Sequence, residues 1–191
     1  MKKGDPYFLS FILRHKPESI EVDMDSEGWI SISQFIQQAK DFEKKEYSVE
    51  LLKAIVAEDN KGRFAISNDG TKIRALQGHS TTLVKMKLQE LAPPDILFHG
   101  TATKNLNNIY QTGLSAMKRH HVHLSDNEET ATNVGSRHGS PFILYVDAKK
   151  MFEDGYRFYL SENNVWLTEK VPVEYIHKDL AFQHTPKKLG F

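Results

Sequence analysis

The adjacent prolines Pro93-Pro94 divide the chain more sharply than any other feature. Two consecutive pyrrolidine rings remove two backbone donors and push the preceding residue out of helical geometry, so neither a helix nor an interior strand runs through them. The patterning differs on the two sides. Before the prolines, apolar residues recur at helical spacing and end in one hairpin signal; after them, short strands and helices alternate. This predicts a mixed α+β chain with a first lobe at 1–80, a connector at 81–92 and a second lobe at 93–191.

The first lobe opens on DPYFLSFILRHKP, residues 5–17. Asp5 is a good N-cap, Pro6 suits the first helical position, and Phe8, Leu9, Phe11 and Ile12 mark an inward stripe. Arg14, His15 and Lys16 fall in the last turn, where the helix dipole favours cations, and Pro17 ends the run. Such an end is either a solvated basic cap or an Arg-His pair aimed at a phosphate. Further on, Ile20–Met24 and Trp29-Ile30 predict a short strand pair around an Asp-Ser-Glu-Gly turn. Ser31 or Ser33 can cap a helix through Phe35, Ile36 and Ala39, and Ser48 another with Leu51, Leu52, Ile55 and Val56. Asn-Asp-Gly at 68–70 joins strands Arg63–Ile66 and Lys72–Leu76. Helices followed by a basic hairpin suggest a winged-helix lobe.

The second lobe predicts strand Ile96–His99, a helix from Ala102 to about Thr112 closed by Gly113, and strand His121–Leu124. Ser125-x-x-Glu128 is a capping box for the next helix, and Pro141–Val146 is a strongly apolar strand. Helix Ala148–Phe152 follows, with Trp166, Val171 and Tyr175–Ile176 in short strands.

Composition narrows the chemistry. There is no cysteine, hence no disulfide frame and no thiolate site. The start lacks the apolar run of a signal peptide, and eighteen consecutive apolar residues occur nowhere, so a cytoplasmic protein with no membrane partner is expected. Net charge is zero, which argues against a uniformly basic nucleic-acid binder. Yet the balance is +3 over residues 2–17, −7 over 18–59 and +5 over 61–87. The basic segments either share a positive face or belong to a patchwork surface. Five of nine histidines lie between 99 and 138, but His121-x-His123 is only a pair and no HExxH helix completes it, so no metal is expected. No GxSxG, Walker or GxGxxG motif occurs either. Arg and His are what remain, and they suit phosphate binding.

Taken together, a set of ordered motifs carries a resemblance. Leu13-Arg14-His15-Lys16-Pro17 is followed by Glu27-Gly28-Trp29, Lys61-Gly62-Arg63-Phe64, Ile73-Arg74-Ala75 and Gln77-Gly78-His79-Ser80. Then come His99-Gly100-Thr101, the run Arg119-His120-His121-Val122-His123-Leu124-Ser125, Val134 to Gly139, and Val165-Trp166-Leu167-Thr168. This order resembles the RNA 2′-phosphotransferase family, especially its bacterial members, from about Leu9 to Ile176.

The resemblance implies an N-terminal winged-helix RNA-binding lobe and a C-terminal ADP-ribosyltransferase-like lobe that binds NAD as co-substrate. It implies NAD-dependent removal of an internal 2′-phosphate from RNA, as at a tRNA splice junction. The phosphate would attack the nicotinamide-bearing ribose, giving an ADP-ribosylated 2′-phospho-RNA. The ribose 2″-hydroxyl would then take the phosphoryl group, releasing 2′-OH RNA and ADP-ribose 1″,2″-cyclic phosphate. The family's catalytic set falls on Arg14, His15, Arg63 and Arg119. By the same resemblance, His99, Gly100, Thr101, His123, Ser125, Gly135, Arg137 and Gly139 are expected to bind NAD. Lys16, Arg74, Gln77, His79 and Ser80 are the RNA-contact candidates. The substrate supplies the nucleophiles, so the chain needs none of its own; a monomer is expected. One departure is Asn163-Asn164, where the family usually reads Asn-Gly. Two other readings stand beside this one: ADP-ribosylation of terminal phosphates on RNA or DNA, and a non-catalytic winged-helix nucleic-acid-binding protein.

Overall fold

The computed structural model describes residues 5–86 and 88–179. They form a mixed α+β chain of small antiparallel sheets in two compact units. Among the described residues, the first unit comprises 5–86 and 88 together with Lys118–His120 and Ser161–Asn163; the second comprises 89–117, 121–160 and 164–179.

In the first unit, helix α1 spans Asp5–Arg14 and is followed by a 3-10 turn at Pro17–Ile20. Strand β1 (Ile30–Ser31) leads into α2 (Ile32–Glu43), then α3 (Val49–Ala57), β2 (Phe64–Ile66) and β3 (Lys72–Ala75). Both expected serine caps form: Ser31 Oγ accepts from Gln34 N–H at 3.3 Å and Ser48 Oγ from Leu51 N–H at 3.1 Å. The hairpin turn is closed by Asp69, whose carboxylate accepts from Thr71 N–H and from the hydroxyls of Thr71 and Ser67. The sheet order is β1-β3-β2. Leu9, Ile12 and Leu13 of α1 are buried with Ile20, Phe35, Leu52 and Ile73, and burying each such side chain contributes about 1.5–3 kcal/mol. The strand pair expected at Ile20–Met24 reduces to a single bridge, Met24 to Ile30, because β1 pairs instead with β3 (Ile30 opposite Ile73).

The second unit contains β4 (Gln89–Glu90), β5 (Ile96–Ala102), α4 (Leu106–Thr112), β6 (Leu114–Ser115), β7 (Val122–Leu124) and α5 (Glu128–Gly135). It continues with β8 (Pro141–Asp147), α6 (Ala148–Glu153), β9 (Tyr159–Leu160), β10 (Trp166–Thr168), β11 (Lys170–Val171) and β12 (Ile176–His177). Its sheets run β4-β9-β10-β7, β12-β8-β5 and β11-β6. Leu97, Leu144, Val146, Met151 and Phe158 are fully buried in its core.

Two local expectations are corrected here. The strand expected to end at His99 runs on to Ala102, pairing Gly100 with Ile143 and Ala102 with Pro141 across β8, so the helix expected from Ala102 starts only at Leu106 after a 3-10 turn at Thr103–Asn105. Ser125 does not cap α5. Asn127 does, its Oδ1 accepting from Thr130 N–H at 2.8 Å, while Ser125 Oγ accepts from Asn127 N–H. Asn is at least as good a cap as Ser, and it stands directly before the helix. Asn164 adopts φ +58°, a left-handed conformation that Asn tolerates better than most residues.

Candidate active site

The helix α1 delivers Arg14 to the interior of the first unit and leaves its guanidinium without enough partners. Arg14 is 8% exposed, and its Nε and Nη2 have no hydrogen-bond partner among the described residues. A buried donor left unpaired costs about 1–3 kcal/mol. Burial, then the guanidiniums of Arg119 and Arg63, pull the Arg14 pKa down to about 10, with Asp59 partly opposing. Three cationic forks therefore share one electrostatic neighbourhood in this unit. Gly78 lies against Arg14: with φ at +86°, its Cα sits where a Cβ would meet the guanidinium carbon at 3.5 Å.

One segment ties the pieces together. Ser80 N–H and Thr81 N–H both donate to the Arg14 carbonyl, at 2.9 and 3.4 Å. The Ser80 hydroxyl is hydrogen-bonded to His15 Nδ1 at 2.9 Å. His120 N–H donates to the His79 carbonyl at 3.3 Å, and His120 Nε2–H to the Thr81 carbonyl at 3.0 Å. The strap at 79–81 thus fixes the end of α1, the His15 ring and the residue next to Arg119. His15 is held below its ordinary pKa by burial and by Arg14 and Arg119, so it is mainly neutral at pH 7. Lost hydration also lowers the Arg119 pKa.

Arg63 has its own holder. The Asp59 side chain, 3% exposed, accepts from Arg63 N–H at 2.5 Å, from Nε at 2.9 Å and from Nη2 at 2.7 Å. This side-on grip fixes the plane of the guanidinium and leaves Nη1 outside the pair. Asp59 was not among the residues singled out in the sequence; its spacing of four before Arg63 was the available signal. Asn163 Nδ2–H donates to the Lys61 carbonyl at 3.2 Å, bracing the turn that leads into Arg63.

The RNA-contact candidates separate in this unit. Lys16 is exposed and lies 3.8 Å from Glu18. Arg74 lies over the Trp29 ring at 4.4 Å and is paired with Glu162. Gln77 is half-buried, and Ser80 belongs to the strap. His79 is 4% exposed, and burial followed by Arg14, His120, His15 and Arg74 lowers its pKa to about 4. Its unfolded pKa is near 6.5, so the unfolded chain takes up this proton first as pH falls. Stability from a neutral His79 is complete above pH 6.5 and is lost progressively toward pH 4, by about 3 kcal/mol in all. Urea unfolding midpoints from pH 7 to pH 4 should fall more steeply for the native chain than for His79→Gln. Parallel curves would contradict this.

All eight NAD candidates lie in the second unit, around the distal half of β5. His99 Nδ1–H donates to the His123 carbonyl at 3.1 Å, and Phe98 exchanges backbone hydrogen bonds with Ser125 at 2.7 and 2.9 Å. Thr101 is buried and its Oγ1 accepts from Asn105 at 3.2 Å. Gly100 and Gly135 face each other where α5 crosses β5. Arg137 is exposed in the 3-10 turn at Ser136–His138, and Gly139 follows it with φ +140°. Among the described residues, no group of three or more His, Cys, Asp or Glu is arranged to hold a metal ion, and no helix is long and apolar enough to cross a membrane.

A sequence profile of the "RNA 2′-phosphotransferase, Tpt1 / KptA family" matches residues 7–170. The chain belongs to this family. It is 51% identical over 168 residues to a probable RNA 2′-phosphotransferase of Acaryochloris marina, covering 88% of this chain and 92% of the relative. A protein of the same name from Escherichia coli is 50% identical over 169 residues, covering 88% and 91%. Another, from Fusobacterium nucleatum, is 48% identical over 170 residues, covering 88% and 94%. The matched span of this RNA 2′-phosphotransferase family member includes Arg14, His15, Arg63 and Arg119, and every NAD and RNA candidate named above. The chain is accordingly a transferase.

Proposed function

We propose that the protein removes an internal 2′-phosphate from RNA, using NAD as co-substrate. The observation that carries this reading is the buried Arg14 guanidinium, with two donors unpartnered and two further guanidiniums in its field. A dianionic phosphate supplies the acceptors that this cluster lacks, and forked guanidiniums hold its oxygens bidentately. Arg14 and His15 would orient the 2′-phosphate. Arg63, held by Asp59, and Arg119, held through His120, would offset the charge that builds at phosphorus. The neutral His15 ring, tethered to Ser80, can accept a proton or donate a hydrogen bond as the phosphate is positioned.

The second unit is read as the ADP-ribosyltransferase-like lobe. Its donor set fits an elongated phosphate-bearing co-substrate: two half-buried imidazoles and the Ser125 hydroxyl, with the exposed Arg137 guanidinium beside the Gly139 turn. The first unit, with its helices and the β2–β3 hairpin, is read as the winged-helix RNA lobe. In the proposed sequence, a 2′-phosphate oxygen bonds to the nicotinamide-bearing ribose carbon as the bond to nicotinamide breaks. The neighbouring 2″-hydroxyl then bonds to phosphorus, its proton is lost, and the RNA leaves with a free 2′-hydroxyl. The other product is ADP-ribose 1″,2″-cyclic phosphate.

The test is incubation with NAD and a short RNA bearing one internal 2′-phosphate. Equal yields of 2′-OH RNA and the cyclic phosphate are expected. An ADP-ribosylated RNA end as the final product, or no reaction, would contradict the proposal.

A further inference from the structure

The helix that carries Arg14 also carries two aromatic side chains that its core does not use. Tyr7 is 77% exposed and Phe11 37%, whereas Leu9, Ile12 and Leu13 of the same helix are fully buried. Tyr7, Phe11 and His15 are four residues apart, so they follow one another along a single face. The Phe11 and His15 ring centroids are 6.3 Å apart, with their planes inclined at 51°. Each step along this face advances about 6 Å, four residues at the helical rise. The row ends on His15, whose ring lies within the field of the Arg14 guanidinium, and exposed Lys16 follows it.

We propose that Phe11 and Tyr7 form a stacking platform for the nucleobases next to the phosphate held at Arg14 and His15, and that the ligand is single-stranded RNA. This rests on the proposed function for where the phosphate sits. The charge pattern favours a nucleic acid over an apolar partner: the aromatic row leads to a cationic cluster in which Asp59 engages Arg63 but two Arg14 donors have no partner among the described residues. Proteins that hold single strands combine these same two elements, cations for the backbone and aromatic faces for the bases. Every base has a π-face, so the platform would tolerate any sequence while demanding unpaired bases. A helical step of about 6 Å matches an opened, extended strand better than the 3.4 Å stacking interval of a duplex.

The experiment is an equilibrium binding cycle with a short RNA carrying one 2′-phosphate and its counterpart abasic at the two flanking nucleotides. The native chain should bind the abasic RNA about tenfold more weakly. Tyr7→Ala and Phe11→Ala should each weaken binding of the base-bearing RNA severalfold, leave the abasic RNA unaffected, and Phe11→Trp should restore the first. Equal affinity of the native chain for both RNAs would overturn the platform, as would variants that weaken both RNAs alike. Tyr7 is too exposed for its truncation to threaten folding, so its result stands even if Phe11→Ala is unstable. Repeating the cycle without the 2′-phosphate separates the two readings. Loss of 2′-phosphate dependence would count against the proposed function, whereas base dependence alone decides the platform.

Discussion

Arg14→Lys should lower single-turnover transfer from 2′-phospho-RNA by about 10²-fold or more. Lysine keeps the positive charge on an unbranched stem, so the comparison isolates what charge alone can do. What it loses is the fork: Nε and Nη2, the two donors with no partner, are set in one plane against Gly78. An ammonium is a point charge that cannot reproduce that bidentate geometry. Folding should survive, because Ser80 and Thr81 bond to the Arg14 main-chain carbonyl, which the substitution leaves in place. Rapid-quench rates beside a melting curve check this. Near-native turnover in a folded variant would remove Arg14 from the reacting phosphate.

Gly100→Ala should be the most damaging small substitution in the second unit, costing several kcal/mol and leaving little folded protein. A methyl at that position would lie 1.7 Å from the Ala131 carbonyl oxygen, 2.5 Å from its carbon and 3.0 Å from Gly135 N. All three atoms belong to the backbone of α5, so no rotamer change makes room. Relief would require α5 to rise off β5, and with it Gly135, where a methyl would come within 2.8 Å of the Thr101 carbonyl oxygen. Gly70, with nothing within 4 Å of an added Cβ, provides the control. Gly70→Asn suits its φ of +73° and should cost under about 1 kcal/mol. Urea unfolding of the two variants tests the contrast; equal losses would contradict it.

Much of the fold was legible because it depends on neighbours in sequence. The Ser31 and Ser48 caps, the 68–70 turn and the β8 strand each require a few adjacent residues of the right kind. The errors arose where two local solutions compete. Ser125 and Asn127 could both cap α5, and only the chain path into the helix decides between them. At His99-Gly100-Thr101, continued pairing with β8 extends β5, and that partner lies some forty residues away. For the site, residue types were visible but not their supports. Nothing local announces that Lys118–His120 and Ser161–Asn163 return to the first unit. Nor does it show that Ser80 holds His15, or that His79 of the same strap is buried. Those contacts span tens of residues, and only the packed unit creates them.

On the proposed function, the Arg14 cluster is built for a 2′-phosphate. The most direct measurement is the affinity of one RNA with and without that group, for the native chain and for Arg14→Gln. The 2′-phosphate should tighten binding to the native chain by about tenfold or more, a charge-assisted contribution, and do nothing for Arg14→Gln. The same affinity for both RNAs in the native chain, or the same gain in both proteins, would contradict it.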